Sequence, residues 1–314
     1  MLASFRDSQA LTWNPNTCRF ELVQFHNLSW SIQDVGALYG AILVERFRTY
    51  GGKLIDLVDR FERIQRGAQL FRMNVPFDMA GLEGLCQTLL HANRELVDQA
   101  CDVSIVVLLS PGEADLGDEQ YGLRPTCKIH VSPLPYRKLA HWYRLGTPLV
   151  YGGYRTVPSQ CWPTQVKSRS RLPYALSQLD RDEKNPYSLE LLRTVRGTVA
   201  DTSVANILIV TPSGQIVSPE RDEILFGCTL QAIERLVKQS GQFIEFSAIS
   251  QADIEQADEI ILTGSSGGIW WASSIENRSI HHGQMGPVAQ QLIRQWSDYV
   301  GLDFVQQALS QGSK

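Results

Sequence analysis

The stretch Thr164–Val210, TQVKSRSRLPYALSQLDRDEKNPYSLELLRTVRGTVADTSVANILIV, contains the residues on which the interpretation of the whole chain depends. Lys167 follows a hydrophobic residue and precedes Arg169 and Arg171, whose positive charges favour the neutral form of a lysine amine. A neutral amine can attack a carbonyl carbon, which is the chemistry of Schiff-base formation. Taken alone the pattern is weak, because most surface lysines near arginines are simply solvated.

The same stretch ends in an acidic residue and an amide. Asp201 and Asn206 lie in the short segment VADTSVAN, which is predicted as a polar loop before a strand over Val204–Val210. Between them and the lysine, an amphipathic pattern predicts a helix over Arg171–Asp182, since Pro173 is tolerated in a first turn. The stretch thus combines an amine, a helix and a carboxylate before a strand.

Length and composition exclude several classes of protein. The chain has 314 residues, 43% of them hydrophobic and 20% charged, which is typical of a globular protein large enough for two domains. The net charge of −4 and the scattered basic residues argue against a nucleic-acid or membrane-binding surface. Six widely spaced cysteines favour a reducing compartment over a disulfide framework or a zinc site. With no signal peptide or membrane span in the pattern, we expect a cytoplasmic protein without a metal.

The first part of the chain shows alternating helix and strand patterns. A strand over Ala41–Tyr50 meets the hairpin signal Gly51-Gly52, and Leu57–Phe71 has the apolar spacing of a helix. Val103–Leu109 is a continuous β-branched run typical of a buried strand. Ser132-Pro133-Leu134-Pro135 stiffens the chain, so we predict an N-terminal α+β domain over 1–132 and a second domain over 133–314.

Two segments of the second part resemble anion-binding sites. In LFGCTLQAIERL, Gly227, Cys228 and Thr229 open a predicted helix, whose free backbone N–H groups suit a phosphate. In TGSSGG, Thr263–Gly268, small residues follow a buried strand and allow backbone to approach a ligand. Neither segment has the spacing of a P-loop or a dinucleotide fingerprint. With the amine and the carboxylate, they match the needs of a phosphorylated aldehyde cofactor, pyridoxal phosphate.

The order of these motifs resembles the class IV, fold-type IV pyridoxal-phosphate enzymes, which include branched-chain and D-amino-acid aminotransferases and aminodeoxychorismate lyases. The resemblance spans about Trp30 to Leu292. It is carried by DVGALYGAILVERFRTYGGKLIDL, DRFERIQRGAQLF, VKSRSRL, TVADTSVAN, ILFGCT, ADEIILTGSS and HHGQMGPVAQQL.

The resemblance implies a fold, a cofactor and the residues that bind it. It implies a D-amino-acid aminotransferase-like α/β architecture, with the α+β N-terminal domain followed by a C-terminal α/β pseudo-barrel. Lys167 occupies the position of the catalytic, Schiff-base lysine that carries pyridoxal 5'-phosphate. The other implied cofactor-binding residues are Arg63, Asp201, Cys228, Thr229, Ser265 and Ser266. A homodimer is also implied.

Three departures from the family pattern bear on the cofactor and the substrate. Asp201 stands where the family has a glutamate for the ring nitrogen, an arm shorter by about 1.5 Å. Arg60 replaces the family histidine three residues before Arg63. VSIVVLLSPG occupies the strand in which branched-chain and D-amino-acid enzymes carry an arginine, and it has none.

Other residues are candidates for substrate binding. One of Arg48, Arg169 and Arg171 could bind the substrate carboxylate. The arginines could instead form salt bridges with Asp180, Asp182 or Asp201. Tyr39 and Trp270 are further candidates, although Trp270 could equally pack in a core or an interface.

The favoured activity is transfer of an amino group between an amino acid and a 2-oxo acid. One alternative is a lyase of the aminodeoxychorismate type that eliminates pyruvate. A second is a catalytically degenerate protein that binds pyridoxal phosphate, which Asp201 and the missing strand arginine suggest.

Overall fold

The computed structural model describes residues 4–114, 124–182, 185–276 and 278–313. Within these residues no helix combines the length and the apolar character needed to cross a membrane.

The chain forms two compact units. The first comprises Met1–Leu134 with Val166–Ser170, and the second comprises Pro135–Gln165 with Arg171–Lys314. The short segment that carries Lys167 therefore lies in the first unit, whereas the boundary predicted at 132/133 placed it in the second domain.

The first unit is built on one six-stranded antiparallel sheet with the strand order β2-β1-β6-β5-β3-β4. Its elements are β1 Gln9–Asn14, β2 Arg19–Gln24, α1 Val35–Tyr39, β3 Leu43–Tyr50, β4 Lys53–Leu54, α2 Leu57–Leu70, α3 Met79–Ala92, α4 Arg94–Ala100, β5 Val103–Ser110 and β6 Thr126–Pro133. The continuous apolar run of β5 is explained by its place inside the sheet, between β6 and β3.

The core of the first unit lies on one face of this sheet. Phe47, Ile105 and Ile129 from three strands pack in one buried cluster with Phe61 of α2 and Leu82 of α3. Because side chains alternate along a strand, the residues on either side of Phe47 point to the opposite face. That face carries the polar residues discussed below.

The second unit contains a nine-stranded mixed sheet with the order β12-β11-β10-β13-β14-β7-β8-β9, and β15 pairs with β14. Its elements are α5 Tyr136–Leu145, β7 Thr147–Arg155, α6 Leu172–Asp182, β8 Leu189–Arg193, β9 Val199–Thr202, β10 Asn206–Val210, β11 Ile216–Ser218, α7 Cys228–Gln239, β12 Ile244–Phe246, α8 Gln251–Gln256, β13 Glu259–Gly264, β14 Gly268–Ile275, β15 Arg278–Ser279, α9 Pro287–Val300 and α10 Phe304–Gln311. A tight turn, in which the Thr202 amide donates to the Ala205 carbonyl, joins the edge strand β9 to β10. Because β10 lies further inside the sheet, between β11 and β13, the sheet curls to bring the two strands together.

Several elements of the second unit were not predicted from the sequence. The aromatic and basic segment Tyr136–Leu145 is a helix, α5, and β14 extends the sheet after the TGSSGG turn. β7 runs through Gly152-Gly153 without a break. A Cβ at Gly152 would lie 3.1 Å from Ser177 Oγ on α6, so this glycine allows the helix to approach the strand closely.

Candidate active site

Lys167 lies in an extended segment that pairs with the start of β3. The Val44 amide donates to the Lys167 carbonyl at 2.9 Å, and the Arg169 amide donates to the Ile42 carbonyl at 2.8 Å. Leu43 and Ser168 form the antiparallel bridge between these two bonds. The backbone on both sides of the lysine is therefore fixed, and its side chain is half-buried.

A buried ion pair lies near this lysine in the first unit. Arg63 binds Glu45 with both sides of its guanidinium, Nε to Oε2 at 2.9 Å and Nη2 to Oε1 at 2.8 Å. Burial by itself would raise the pKa of Glu45. The charge and hydrogen bonds of Arg63, with smaller effects from Arg60 and Lys167, lower the pKa of this carboxyl below its ordinary value. The carboxylate thus stays ionised and fixes the orientation of Arg63.

The two candidate substrate residues of the first unit lie in different surroundings. Tyr39, at the end of α1, is 63% exposed. Arg48 is buried, with Nη2 at 3.6 Å from Asp102 Oδ2 and Nε donating to the Thr49 carbonyl. Asp102 also accepts from the amides of the Gly51-Gly52 turn, so Arg48 belongs to the structural network of that turn.

Asp201 lies inside β9 and is 4% exposed, so the predicted polar loop is wrong at this residue. A buried carboxylate needs donors, and the Tyr174 hydroxyl on α6 donates to Asp201 Oδ1 at 2.8 Å. Burial, followed by the charge of Asp201, raises the pKa of Tyr174 well above its ordinary value, so the phenol remains a donor. Tyr174 was not among the predicted site residues, because its one signal in the sequence was its place on the helix after Lys167.

Arg171 lies next to Tyr174 and Asp201 in the second unit. Its Nη2 donates to the Ser203 carbonyl at 3.0 Å, and its guanidinium lies 4.3 Å from the centre of the Tyr174 ring. These contacts tie the start of α6 to the turn after β9.

The start of α7 has the features of a phosphate site. Cys228 and Thr229 form its first turn, and the N-cap residue is Gly227, which has no side chain to cap the helix. The Thr229 hydroxyl is buried and lacks a hydrogen-bond partner among the described residues. Asn206 holds the approach to the helix by accepting from the Gly227 amide and donating to the Leu225 carbonyl. A phosphate would meet the backbone N–H groups of this first turn and a hydroxyl here.

Ser265 and Ser266 lie in the turn between β13 and β14, and both are half-buried. A Cβ at Gly264, just before them, would lie 2.8 Å from the Val204 carbonyl, so this glycine lets two backbone segments approach. Trp270, by contrast, is buried in the second unit and stacks on Trp142 with 5.2 Å between ring centres. This packing matches the core alternative for Trp270.

The part of the chain that resembles known proteins contains these site residues. The family model of amino-transferase class IV matches residues 42–275. The chain belongs to the class IV aminotransferase family. Its match includes Lys167, Asp201 and the first turn of α7.

Relatives of this class IV aminotransferase fall into two groups by name. A Methanocaldococcus jannaschii protein is 26% identical over 85% of this chain and 90% of its own length. Its name, branched-chain-amino-acid aminotransferase, is an assignment without experimental proof. The D-alanine aminotransferase of Bacillus licheniformis is 22% identical over 82% of this chain and 87% of its own. Among solved structures, the T.th. branched-chain amino acid aminotransferase complexed with N-(5'-phosphopyridoxyl)-L-glutamate has a TM-score of 0.80 at 21% identity and covers 95% of both chains.

These comparisons confirm the fold-type IV architecture and the aminotransferase activity expected from the sequence. The lyase alternative is not favoured by them. Class IV aminotransferases use pyridoxal phosphate as a family.

Proposed function

We propose that this aminotransferase binds pyridoxal 5'-phosphate and transfers an amino group between an amino acid and a 2-oxo acid. The observation that carries the proposal is the buried Thr229 hydroxyl at the start of α7, which lacks a partner among the described residues. A buried hydroxyl without a partner costs about 1–3 kcal/mol, and a bound phosphate would remove that cost.

The residues of the proposed binding set have the chemistry that the cofactor needs. Lys167 would hold the cofactor covalently and Arg63 would bind its phosphate. The amides of Cys228 and Thr229 and the hydroxyls of Ser265 and Ser266 would also bind the phosphate, and Asp201 would bind the ring nitrogen. Amides, hydroxyls and a guanidinium are donors that suit an anion, and a carboxylate suits a cation.

The chemistry divides between the cofactor and these residues. Pyridoxal phosphate supplies a carbonyl that takes up the substrate amino group and a protonated ring that accepts negative charge from the α-carbon. Once the substrate amine has displaced it from the cofactor, the Lys167 amine would remove the proton from that α-carbon as a general base. Asp201 would hold the proton on the ring nitrogen, and the Tyr174 hydroxyl would orient the Asp201 carboxylate for this task. Glu45 fixes the guanidinium of Arg63.

Product analysis tests this activity. Protein loaded with pyridoxal phosphate is given L- and D-amino acids in turn with a 2-oxo acid, and both products are measured. We expect the new amino acid and the new oxo acid in equal amounts, with none from Lys167→Ala and an unchanged rate from Lys53→Ala, an exposed control on β4. Release of pyruvate from aminodeoxychorismate without any acceptor would instead support the lyase alternative.

We also propose that the protein is a cytoplasmic homodimer, as the family resemblance implies. Exposed apolar residues of the first unit support a partner there, since Ile32 is 85% exposed and Tyr39 is 63% exposed.

A further inference from the structure

The face of the first sheet opposite the core carries a row of basic side chains. Arg46 on β3 is directly opposite Val106 on β5, which is directly opposite His130 on β6. Lys128 lies on the same face, two residues from His130 along β6. Adjacent strands are about 4.8 Å apart, so the long side chain of Arg46 can reach across Val106 towards His130.

Arg169 and Lys167 belong to the same face. The bridge between Leu43 and Ser168 places Lys167 opposite Val44 and Arg169 opposite Ile42. Val44 and Ile42 alternate with the core-facing Leu43, as Arg46 does with Phe47. The proposed catalytic amine and the basic residues therefore share one face of the first unit.

Arg46 differs from the buried arginines of this unit, Arg48, Arg60 and Arg63, because no acceptor for its guanidinium is found among the described residues. Its backbone amide donates to Glu45 and its carbonyl accepts from Arg60, but its side chain is half-buried without a hydrogen bond or ion pair. Arg48, two residues further on, has Asp102, and Arg63 has Glu45. A guanidinium without an acceptor in the described part of the chain can offer its five N–H donors to a ligand.

The surroundings of Arg46 disfavour its positive charge. Burial lowers the pKa of Arg46, and the charge of Arg169 lowers it further. Burial also lowers the pKa of His130, with added effects from both arginines against a raising hydrogen bond to the Val131 carbonyl. Like charges that lie close together repel each other, and such a gathering is typical of a surface that binds an anion.

Lys128 adds a further cation that is held in place. Its ammonium lies 4.8 Å from the centre of the Trp30 ring, and Asp34 is the carboxylate whose charge acts on it. Asp34 is itself occupied as the N-cap of α1, where it accepts from the Gly36 amide at 2.7 Å. We call Arg46, Lys128, His130 and Arg169 the cationic cluster.

We propose that the cationic cluster binds a carboxylate of the substrate and that Arg46 is its main donor. The inference rests on the proposed aminotransferase function, since it assigns the ligand of the face that carries Lys167. A guanidinium binds a carboxylate through two parallel hydrogen bonds, which gives both affinity and orientation. The cluster thereby replaces the arginine that β5 lacks, and it replaces Arg48 and Arg171 as the predicted carboxylate ligand.

Binding of two inert carboxylates tests the proposal. Glutarate, a dicarboxylate, and butyrate, a monocarboxylate, are titrated into the cofactor-loaded protein and into the cofactor-free chain by calorimetry. We expect Arg46→Gln to weaken binding of at least one of them about tenfold, since hydrogen bonds to charged groups are lost. A loss for both assigns the cluster to the α-carboxylate, and a loss for glutarate alone assigns it to a side-chain carboxylate.

Controls separate binding from folding. Arg46→Lys keeps the charge and should recover part of the affinity, and Arg66→Gln, on the exposed side of α2, should change nothing. Because Arg46 lies among like charges, Arg46→Gln should keep or raise the melting temperature, by about 2 °C. Unchanged affinity for both carboxylates in a folded Arg46→Gln protein would overturn the proposal. Failure of the parent protein to bind pyridoxal phosphate would count against the proposed function alone, since the cofactor-free titration still measures the cluster.

Discussion

Tyr174 and Asp201 show how one substituted residue is accommodated. Asp201 has a shorter arm than the glutamate expected at this position, and it lies buried in β9 rather than in a loop. The Tyr174 hydroxyl reaches it from α6 at 2.8 Å, and Arg171 lies against the tyrosine ring. The carboxylate is therefore held from the helix that follows Lys167.

Loss of the Tyr174 hydroxyl should destabilise the protein. Tyr174→Phe removes a donor from a buried carboxylate, so the free energy of unfolding should fall by about 1–3 kcal/mol at neutral pH. Tyr154→Phe, at a site 38% exposed, is the control and should cost less than about 0.5 kcal/mol. Since the folded-state pKa of Tyr174 is raised, stability should also fall above about pH 10 in the parent and less in Tyr174→Phe. Equal urea midpoints for the two variants at neutral pH would refute the role of this bond.

Glu45 gives a prediction at acid pH. Its pKa is lowered in the folded state, so its contribution is present above about pH 4.3, the value in the unfolded chain, and is lost as pH falls below it. Glu45→Gln leaves Arg63 and Arg60 buried without their carboxylate and should cost about 3–5 kcal/mol at pH 7.

Urea unfolding at pH 7 and pH 3.5 measures both effects. The difference between the two pH values should be smaller in Glu45→Gln than in the parent. Glu62→Gln, which removes an exposed pair with Arg66, should follow the parent at both. A Glu45→Gln protein as stable as the Glu62→Gln control would contradict the ion-pair account.

At the scale of elements, the start of α7 contains the proposed phosphate site and a buried hydroxyl that lowers the stability of the cofactor-free chain. Its Thr229 hydroxyl is buried without a partner among the described residues, whereas the Thr202 hydroxyl donates to the Ala205 carbonyl and accepts from the Ala205 amide. The Thr202 hydroxyl thus serves the fold, whereas the Thr229 hydroxyl has the capacity that the proposed phosphate site requires.

The two threonines should respond oppositely to valine, which keeps their shape. Thr229→Val should raise the free energy of unfolding of the cofactor-free chain by about 1 kcal/mol and weaken pyridoxal phosphate binding about tenfold. Thr202→Val should lower stability by about 1–2 kcal/mol. Denaturant unfolding and a cofactor titration measure both, and a Thr229→Val protein with parental cofactor affinity would remove the phosphate site from α7.

Sequence pattern predicted most of these elements but not their partners. The continuous apolar run of β5 and the amphipathic α7 were predictable because local periodicity determines them. β9 was missed because its Asp201 and Thr202 are polar, and only Tyr174 and the turn to Ala205 make their burial tolerable.

The candidate arginines also show that sequence pattern does not predict tertiary partners. Alternation along β3 puts Arg46 and Arg48 on one face, but only tertiary structure brings Asp102 to Arg48 and leaves Arg46 without an acceptor among the described residues. The choice between them could not be made from spacing.

At the scale of the whole molecule, the chain passes from the second unit into the first and back around Lys167. Val166–Ser170 pairs with β3, while the residues before and after it belong to the second unit. The proposed catalytic lysine is thereby fixed by the sheet that also carries the cationic cluster.

The proposed homodimer gives a prediction at this scale. One chain has a mass of 35.2 kDa, so light scattering on the eluting protein should give about twice that, roughly 70 kDa. Ile32→Asp with Tyr39→Ser, at exposed positions of the first unit, should shift the mass towards that of one chain. A parental mass equal to that of one chain at micromolar concentration would exclude the dimer.

The proposed activity depends most directly on a covalent link between Lys167 and the cofactor. Protein incubated with pyridoxal phosphate is treated with borohydride, digested, and analysed by mass spectrometry for the lysine that retains the cofactor. We predict a cofactor mass on the peptide containing Lys167, and none after Lys167→Ala. Cofactor that binds without labelling Lys167, or that labels another lysine in its place, would contradict the account and favour a protein that only binds pyridoxal phosphate.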